Sequence, residues 1–336
     1  MGWNRFNNFM TGNPNNWNLK FKTLYSEVFK NHRVKKDVFV EEITDHPKPW
    51  KWLRVFLFLI VLSVVSFLNT ILVGALAFPW LALIVASIVP ITVAMFLYEC
   101  ITHEKPKVLE IVLIFMVGTT VSFLATGFLN IKLGDIGLDA VLVAPIIEEI
   151  AKAIPIVLAI KILKIKRVST AIFIGWIVGS GFEIAETLGY STYFGYMGIF
   201  SQLQFLPNGT EYVFSVTLDY TTMFARFFFS FGSHAFWGAI EGAAFIFSEK
   251  KDKPKMGFGR FVIWLVICIV LHMLWNTIST YISNLAWFIV LTILVQLIYF
   301  PLFFYLLDAG ISDDIIQKPS NELENSIEVE TIPISE

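Results

Sequence analysis

Apolar residues along this chain come in long, nearly uninterrupted blocks rather than at the spacing of an amphipathic helix or strand. Roughly 20 mostly apolar residues are needed to cross a bilayer as a helix. Eight blocks meet that length: 53–75, 77–99, 108–129, 136–161, 169–192, 223–247, 259–281 and 284–307. The pattern predicts an all-α, polytopic integral membrane bundle of about eight transmembrane helices. Residues 1–20 are rich in Asn and Gly and have no helical period, and 21–52 mix Lys and Glu with apolar residues, as a short surface helix does. The expected organisation is a basic N-terminal segment (1–52), a membrane domain (53–307) and an acidic, disordered tail (308–336). No internal repeat is visible. The first apolar block starts too far from the N-terminus, and is too long, for a cleavable signal peptide.

Composition sharpens this picture. The chain has 336 residues, of which 56% are hydrophobic and only 15% charged, against about 25% charged in a soluble domain. That excludes a soluble enzyme, a disordered chain and a nucleic-acid binder. The two cysteines, Cys100 and Cys268, lie in or beside apolar blocks and are expected to be buried thiols rather than a disulfide. Charge gives the orientation. Lys/Arg fall in the N-terminal segment, in the second-to-third connection (Lys105, Lys107), in the fourth-to-fifth (Lys161, Lys164, Lys166, Arg167) and in the sixth-to-seventh (Lys250, Lys251, Lys253, Lys255, Arg260). The alternate connections hold only Lys132 and Arg226, the latter expected to be an interfacial anchor. With eight spans every basic segment falls on one side, which the positive-inside rule makes cytoplasmic. Both termini are then inside, and a loop at 193–222 faces out.

Several apolar blocks carry charge near their middle, where a charged side chain costs at least ~2.5 kcal/mol. The fourth reads Pro145-Ile146-Ile147-Glu148-Glu149-Ile150-Ala151-Lys152, the fifth Phe182-Glu183-Ile184-Ala185-Glu186, the sixth His234-Ala235-Phe236-Trp237-Gly238 with Glu241 beyond, and the seventh His272-Met273-Leu274-Trp275-Asn276. Counted at 1.5 Å per residue from the outer ends of the predicted spans, the acids and imidazoles fall roughly 9–20 Å below the outer surface. They form one layer, reached from outside. Lys152 is one helical turn from both Glu148 and Glu149, Glu183 and Glu186 share a face, and so do His272 and Asn276. Gly175 and Gly179 have the small-xxx-small spacing that lets helices approach closely. Glu241, nearer the cytoplasmic side, is expected to be structural.

Two adjacent carboxyls in a dry environment cannot easily both ionise, so one can serve as base and the other as acid. With His and Asn as donors to a developing oxyanion, these groups support attack of water on an amide carbonyl. Glu148 or Glu149 activates the water directly in this reading, with Lys152 balancing the pair and no cofactor required. Zinc is also possible, on Glu149, His234 and His272; no His pair shares a helix turn, and Lys152 would compete with a dication for the carboxylates. Other signatures fail: there is no His-Glu-x-x-His helix, Gly134-Asp135 lacks a partner acid, and Val178 breaks the Gly-x-Ser-Gly pattern of a rhomboid at Ser180. A proton-coupled transporter would be expected to show repeats and paired broken helices, and a non-catalytic accessory membrane protein would not need the acids and both His.

Together Glu148-Glu149-x-x-Lys152, Phe182-Glu183-x-x-Glu186, His234-x-x-x-Gly238 and His272-x-x-Trp275-Asn276 resemble, in order, the motifs of the PrsW intramembrane proteases, relatives of the CAAX-endopeptidase and bacteriocin-processing (CPBP/Abi) superfamily. The resemblance covers about 140–280, within an expected catalytic core of about 136–281, and extends to the general multi-span plan. It implies a CPBP/Abi-like catalytic core in a bacterial plasma-membrane enzyme. The substrate would be a single-span membrane protein, such as an anti-sigma factor, cut near the outer side of the membrane. Glu148, Glu149, Glu186, His234, His272 and Asn276 would be catalytic, with Lys152 and Glu183 in support. The partners implied are that substrate and the lipid bilayer; zinc use by the family is unsettled.

Overall fold

The computed structural model describes residues 51–73, 77–101, 104–134, 140–203, 223, 226–228, 233–249, 257–282 and 284–316. The basic segment up to residue 50, most of the expected outer loop and the tail from 317 lie outside the described residues. Eight helices are described: α1 Lys51–Val73, α2 Phe78–Cys100, α3 Val108–Gly134, α4 Ala140–Ile162, α5 Val168–Leu203, α6 His234–Glu249, α7 Gly257–Tyr281 and α8 Leu285–Ile316. One falls in each apolar block, so the protein is an all-helical polytopic membrane bundle.

Six of these are long and apolar enough to cross a membrane by themselves: Lys51–Val73, Phe78–Cys100, Val108–Leu129, Val168–Ser191, Phe258–Tyr281 and Ala286–Leu306. The two that are not each carry part of the candidate chemistry, the rest lying on α5 and α7. α4 has the length but bears Glu148, Glu149 and Lys152 in its centre. α6 has 16 residues, about 24 Å at 1.5 Å each, short of the ~30 Å hydrocarbon core. Neighbours shield it: every residue from His234 to Ile246 is buried. A helix apolar all round is an interior helix, whereas α1 and α3 turn long rows of Leu, Val and Phe outward.

Two boundaries differ from the sequence reading. α5 runs on to Leu203, so 193–203, expected as loop, is helical; hydropathy marks where a helix leaves the apolar layer, not where it ends. The sixth helix, expected from 223, is described from His234. Its first turn is fixed there by the Ser233 carbonyl, which accepts from the Phe236 and Trp237 N–H groups at 2.9 and 3.1 Å. His234 thus sits in the opening turn of α6, and residues 223 and 226–228 ahead of it are also helical.

Contact between α5 and α6 is the most extensive in the bundle, and glycine permits it. A Cβ on Gly175 would run into the Gly238 carbonyl, one on Gly179 into the backbone of His234 and Ala235, and one on Gly242 into the Ala171 carbonyl. Backbone therefore meets backbone along two turns, as the Gly175/Gly179 spacing implies. Trp176, Phe236, Trp237 and Tyr299 fill the core around this seam. Cys100 and Cys268 are buried free thiols.

Hydrogen bonds tie the basic connections together at one end of the bundle. The Lys51 and Trp52 N–H groups donate to Glu99 at the end of α2 (3.0 and 3.2 Å). Lys166 and Arg167 N–H groups, between α4 and α5, donate to Glu104, between α2 and α3 (2.8 and 3.1 Å). Arg260 donates to the Phe247 carbonyl across the α6–α7 connection (3.3 Å).

Candidate active site

Because α5 and α6 touch through glycine, the polar faces of α4, α5, α6 and α7 converge on one buried point. Glu149 and Lys152 are one turn apart on α4, and their ion pair closes at 2.7 Å with both side chains wholly buried. Lys152 Nζ also lies 2.8 Å from His234 Nδ1. An ammonium can only donate, so Nδ1 accepts and Nε2 carries the ring proton. That Nε2–H donates to Glu186 Oε2 at 2.9 Å. On the other side His272 Nδ1 lies 2.7 Å from the same Glu149 Oε1. A carboxylate accepts, so here Nδ1 carries the proton and Nε2 keeps its lone pair. A continuous network runs Glu186–His234–Lys152–Glu149–His272, alternating donors and acceptors.

Glu148 stands apart from this chain. Its Oε2 is buried and accepts no hydrogen bond, yet lies 3.6 Å from His272 Nε2. With Glu148 ionised, two lone-pair atoms face each other here, an arrangement that a metal ion, or a proton on Glu148, would satisfy. Two ligands of a tetrahedral zinc, with bonds of about 2.0–2.1 Å, stand about 3.3 Å apart. Ligand atoms of Glu148, His234 and His272 all lie within 4.8 Å of one another, and all three residues are buried. Both imidazoles also donate their other N–H to a carboxylate, the arrangement that fixes the tautomer of metal-binding His. The donor set suits zinc.

The sequence reading named Glu149 as the metal-binding carboxylate. Geometry favours Glu148 instead, because Glu149 Oε1 already takes Lys152 and His272. Lys152 engages Glu149 and leaves Glu148 free; its competition with a dication is confined to His234 Nδ1, to which it donates. Of the other expected residues, Glu183 caps α6, its Oε2 accepting the Ala235 N–H at 3.3 Å; a carboxylate at a helix N-terminus is favoured by the exposed N–H groups and the helix dipole. Asn276, half-buried on α7 one turn from His272, makes no side-chain hydrogen bond among the described residues. The walls are aromatic: Trp237 stacks on His272 at 4.4 Å, Phe182 lies 4.7 Å from His234, and Lys152 Nζ sits 5.3 Å from the Trp237 ring.

Two residues enter the site that the sequence reading left outside it. Arg226, expected as an interfacial anchor, turns inward and pairs with Glu186. Glu241 is completely buried, neither of its oxygens meets a donor, and its carboxyl neighbours that of Glu149. The available signal for Glu241 was its heptad spacing from His234, which puts both on one face of α6.

No curated protein and no solved structure matches the chain. The family model of the PrsW family intramembrane metalloproteases matches residues 48–306, well over half of the chain and the whole of the bundle bearing these groups. The chain belongs to the PrsW family of intramembrane metalloproteases.

Proposed function

We propose that this protein is a zinc-dependent intramembrane endopeptidase, in which Glu148, His234 and His272 hold the metal. It would cleave a single-span membrane protein from the outer side of the bilayer. The unpartnered Glu148 Oε2, 3.6 Å from the lone pair of His272 Nε2, carries this reading, and the family's description as metalloproteases supports it. It replaces the metal-free reading of the sequence, in which a glutamate alone activates water.

When bound, zinc would supply a Lewis acid that polarises the scissile carbonyl and acidifies water. The chain's own groups do the rest. Glu149 holds His272 through Nδ1, so that Nε2 faces Glu148, and Glu186 holds His234 through Nε2, so that Nδ1 faces Lys152. Lys152 neutralises Glu149 and keeps it as a partner when a cation takes the His234 nitrogen. Glu149 Oε2, which accepts no hydrogen bond, takes the proton released by the attacking water, with the neighbouring Glu241 carboxyl able to share it. That proton then goes to the departing amine. Trp237, Phe182 and the α5–α6 seam exclude bulk water, which strengthens each of these interactions.

The outward direction rests on charge. The tied connections at one end of the bundle carry the Lys/Arg residues, which the positive-inside rule places in the cytoplasm. The opposite end is then outside, in a bacterial plasma membrane. An anti-sigma factor is the kind of substrate the family resemblance suggests.

The test is cleavage of single-span peptides by the purified full chain in detergent. Activity lost to a membrane-permeant chelator and restored by zinc is expected. Cleavage indifferent to chelation would return the reaction to water activated directly by Glu148 or Glu149.

A further inference from the structure

We infer that Arg226 is a positioning residue of this site: through Glu186 it fixes His234 for metal. The inference rests on the zinc reading above. Arg226 belongs to a short helical piece at 226–228, just ahead of α6. Among the described residues its guanidinium contacts Glu186, Thr187 and Tyr190, all on α5. One terminal nitrogen pairs with Glu186 Oε2, Nε donates to Thr187 Oγ1 at 2.8 Å, and the cation lies 5.2 Å from the centre of the Tyr190 ring. Glu186 Oε2 thus receives two donors at once, Arg226 from outside and His234 Nε2–H from inside (2.9 Å).

Without Arg226, Glu186 would be a half-buried carboxylate free to swing toward water, since its side chain keeps 18% of its exposure. With Arg226 it is held by two donors from two directions. The imidazole it holds then has one orientation, with Nε2–H spent on Glu186 and Nδ1 turned to Lys152, the donor that a metal on this nitrogen would replace. A bidentate, planar cation is required: lysine is a point charge and cannot bond Glu186 and Thr187 together. Carboxylate partners of metal-binding His typically contribute 10–100-fold to metal affinity or activity, and Arg226 acts one bond further out on the same path.

The experiment is a double-mutant cycle on the full chain in detergent, with two readouts. One is zinc affinity by competition with a chromophoric chelator; the other is kcat/KM on a fluorogenic single-span peptide that the wild type cleaves. Arg226→Met and Glu186→Gln are each expected to lower both quantities about 10–100-fold. The double variant is expected to be no worse than Glu186→Gln alone. Arg226→Lys, which keeps the charge and protects against a folding defect, is expected to fall between wild type and Arg226→Met. Losses that multiply in the double variant would overturn the inference, because Arg226 would then act on the substrate or the fold. Wild-type zinc affinity in Arg226→Met would overturn it as well. A wild-type chain that cleaves without binding zinc would instead overturn the zinc reading, while the coupling in kcat/KM would still report on Arg226 and Glu186.

Discussion

Lys152→Met removes the lysine ion-paired with Glu149 while nearly preserving volume, so little cavity is left. Both partners of the 2.7 Å pair are fully buried. Taking one partner from such a pair costs about 3–5 kcal/mol, because the other charge stays buried and uncompensated. His234 Nδ1 also loses its donor, a further ~1 kcal/mol. Together these are about 4–6 kcal/mol, and at 1.4 kcal/mol per decade the unfolding equilibrium should shift by roughly seven hundred- to twenty-thousand-fold. Adding Glu149→Gln to Lys152→Met removes the stranded charge while leaving an amide oxygen for His272 Nδ1–H. The double variant should therefore regain most of the loss and end within about 2 kcal/mol of wild type. Reversible unfolding in mixed dodecylmaltoside–SDS micelles, followed by tryptophan fluorescence, measures this. Lys152→Met within 1 kcal/mol of wild type, or costs that simply add in the double variant, would refute the argument that Lys152 compensates the buried charge of Glu149.

Gly179→Ala puts a methyl into the backbone of His234 and Ala235; it is expected to destabilise by ~1–3 kcal/mol and to abolish cleavage, whereas Gly189→Ala, where a Cβ meets nothing within 4 Å, should be silent in the same thermal-melt and cleavage assays. A single cysteine at Lys253 should resist a membrane-impermeant maleimide in intact cells and react after permeabilisation. Labelling from outside would reverse the orientation, and the two native thiols, being buried, add little background.

Much of this was legible in the sequence because membranes make hydropathy and charge unusually informative. An apolar block of spanning length predicts a helix, and Glu148, Glu149, Lys152, Glu186, His234 and His272 announce themselves by standing where charge is costly. What depends on rotation about a helix axis was not legible. Glu148 and Glu149 are adjacent in sequence, and only the position of α7 decides which carboxylate meets the lone pair of His272 and which its proton. Arg226 was misread because a basic residue near a span end snorkels as readily as it turns inward; the difference is Glu186 and Thr187 on α5, a partner face that spacing does not supply. The start of α6 was missed because its cap, Glu183, comes from another helix. The run of α5 to Leu203 was missed because hydropathy falls before the helix ends.

The central claim is that Glu148, His234 and His272 form one metal site. It is tested most directly by elemental analysis and X-ray absorption on the purified full chain, wild type beside Glu148→Gln. One zinc per chain is expected, with nitrogen and oxygen ligands including two imidazoles and no sulfur, and the Glu148→Gln protein should lose that zinc under chelator concentrations the wild type withstands. A proteolytically active wild type free of metal, or zinc retained equally by Glu148→Gln, would contradict it.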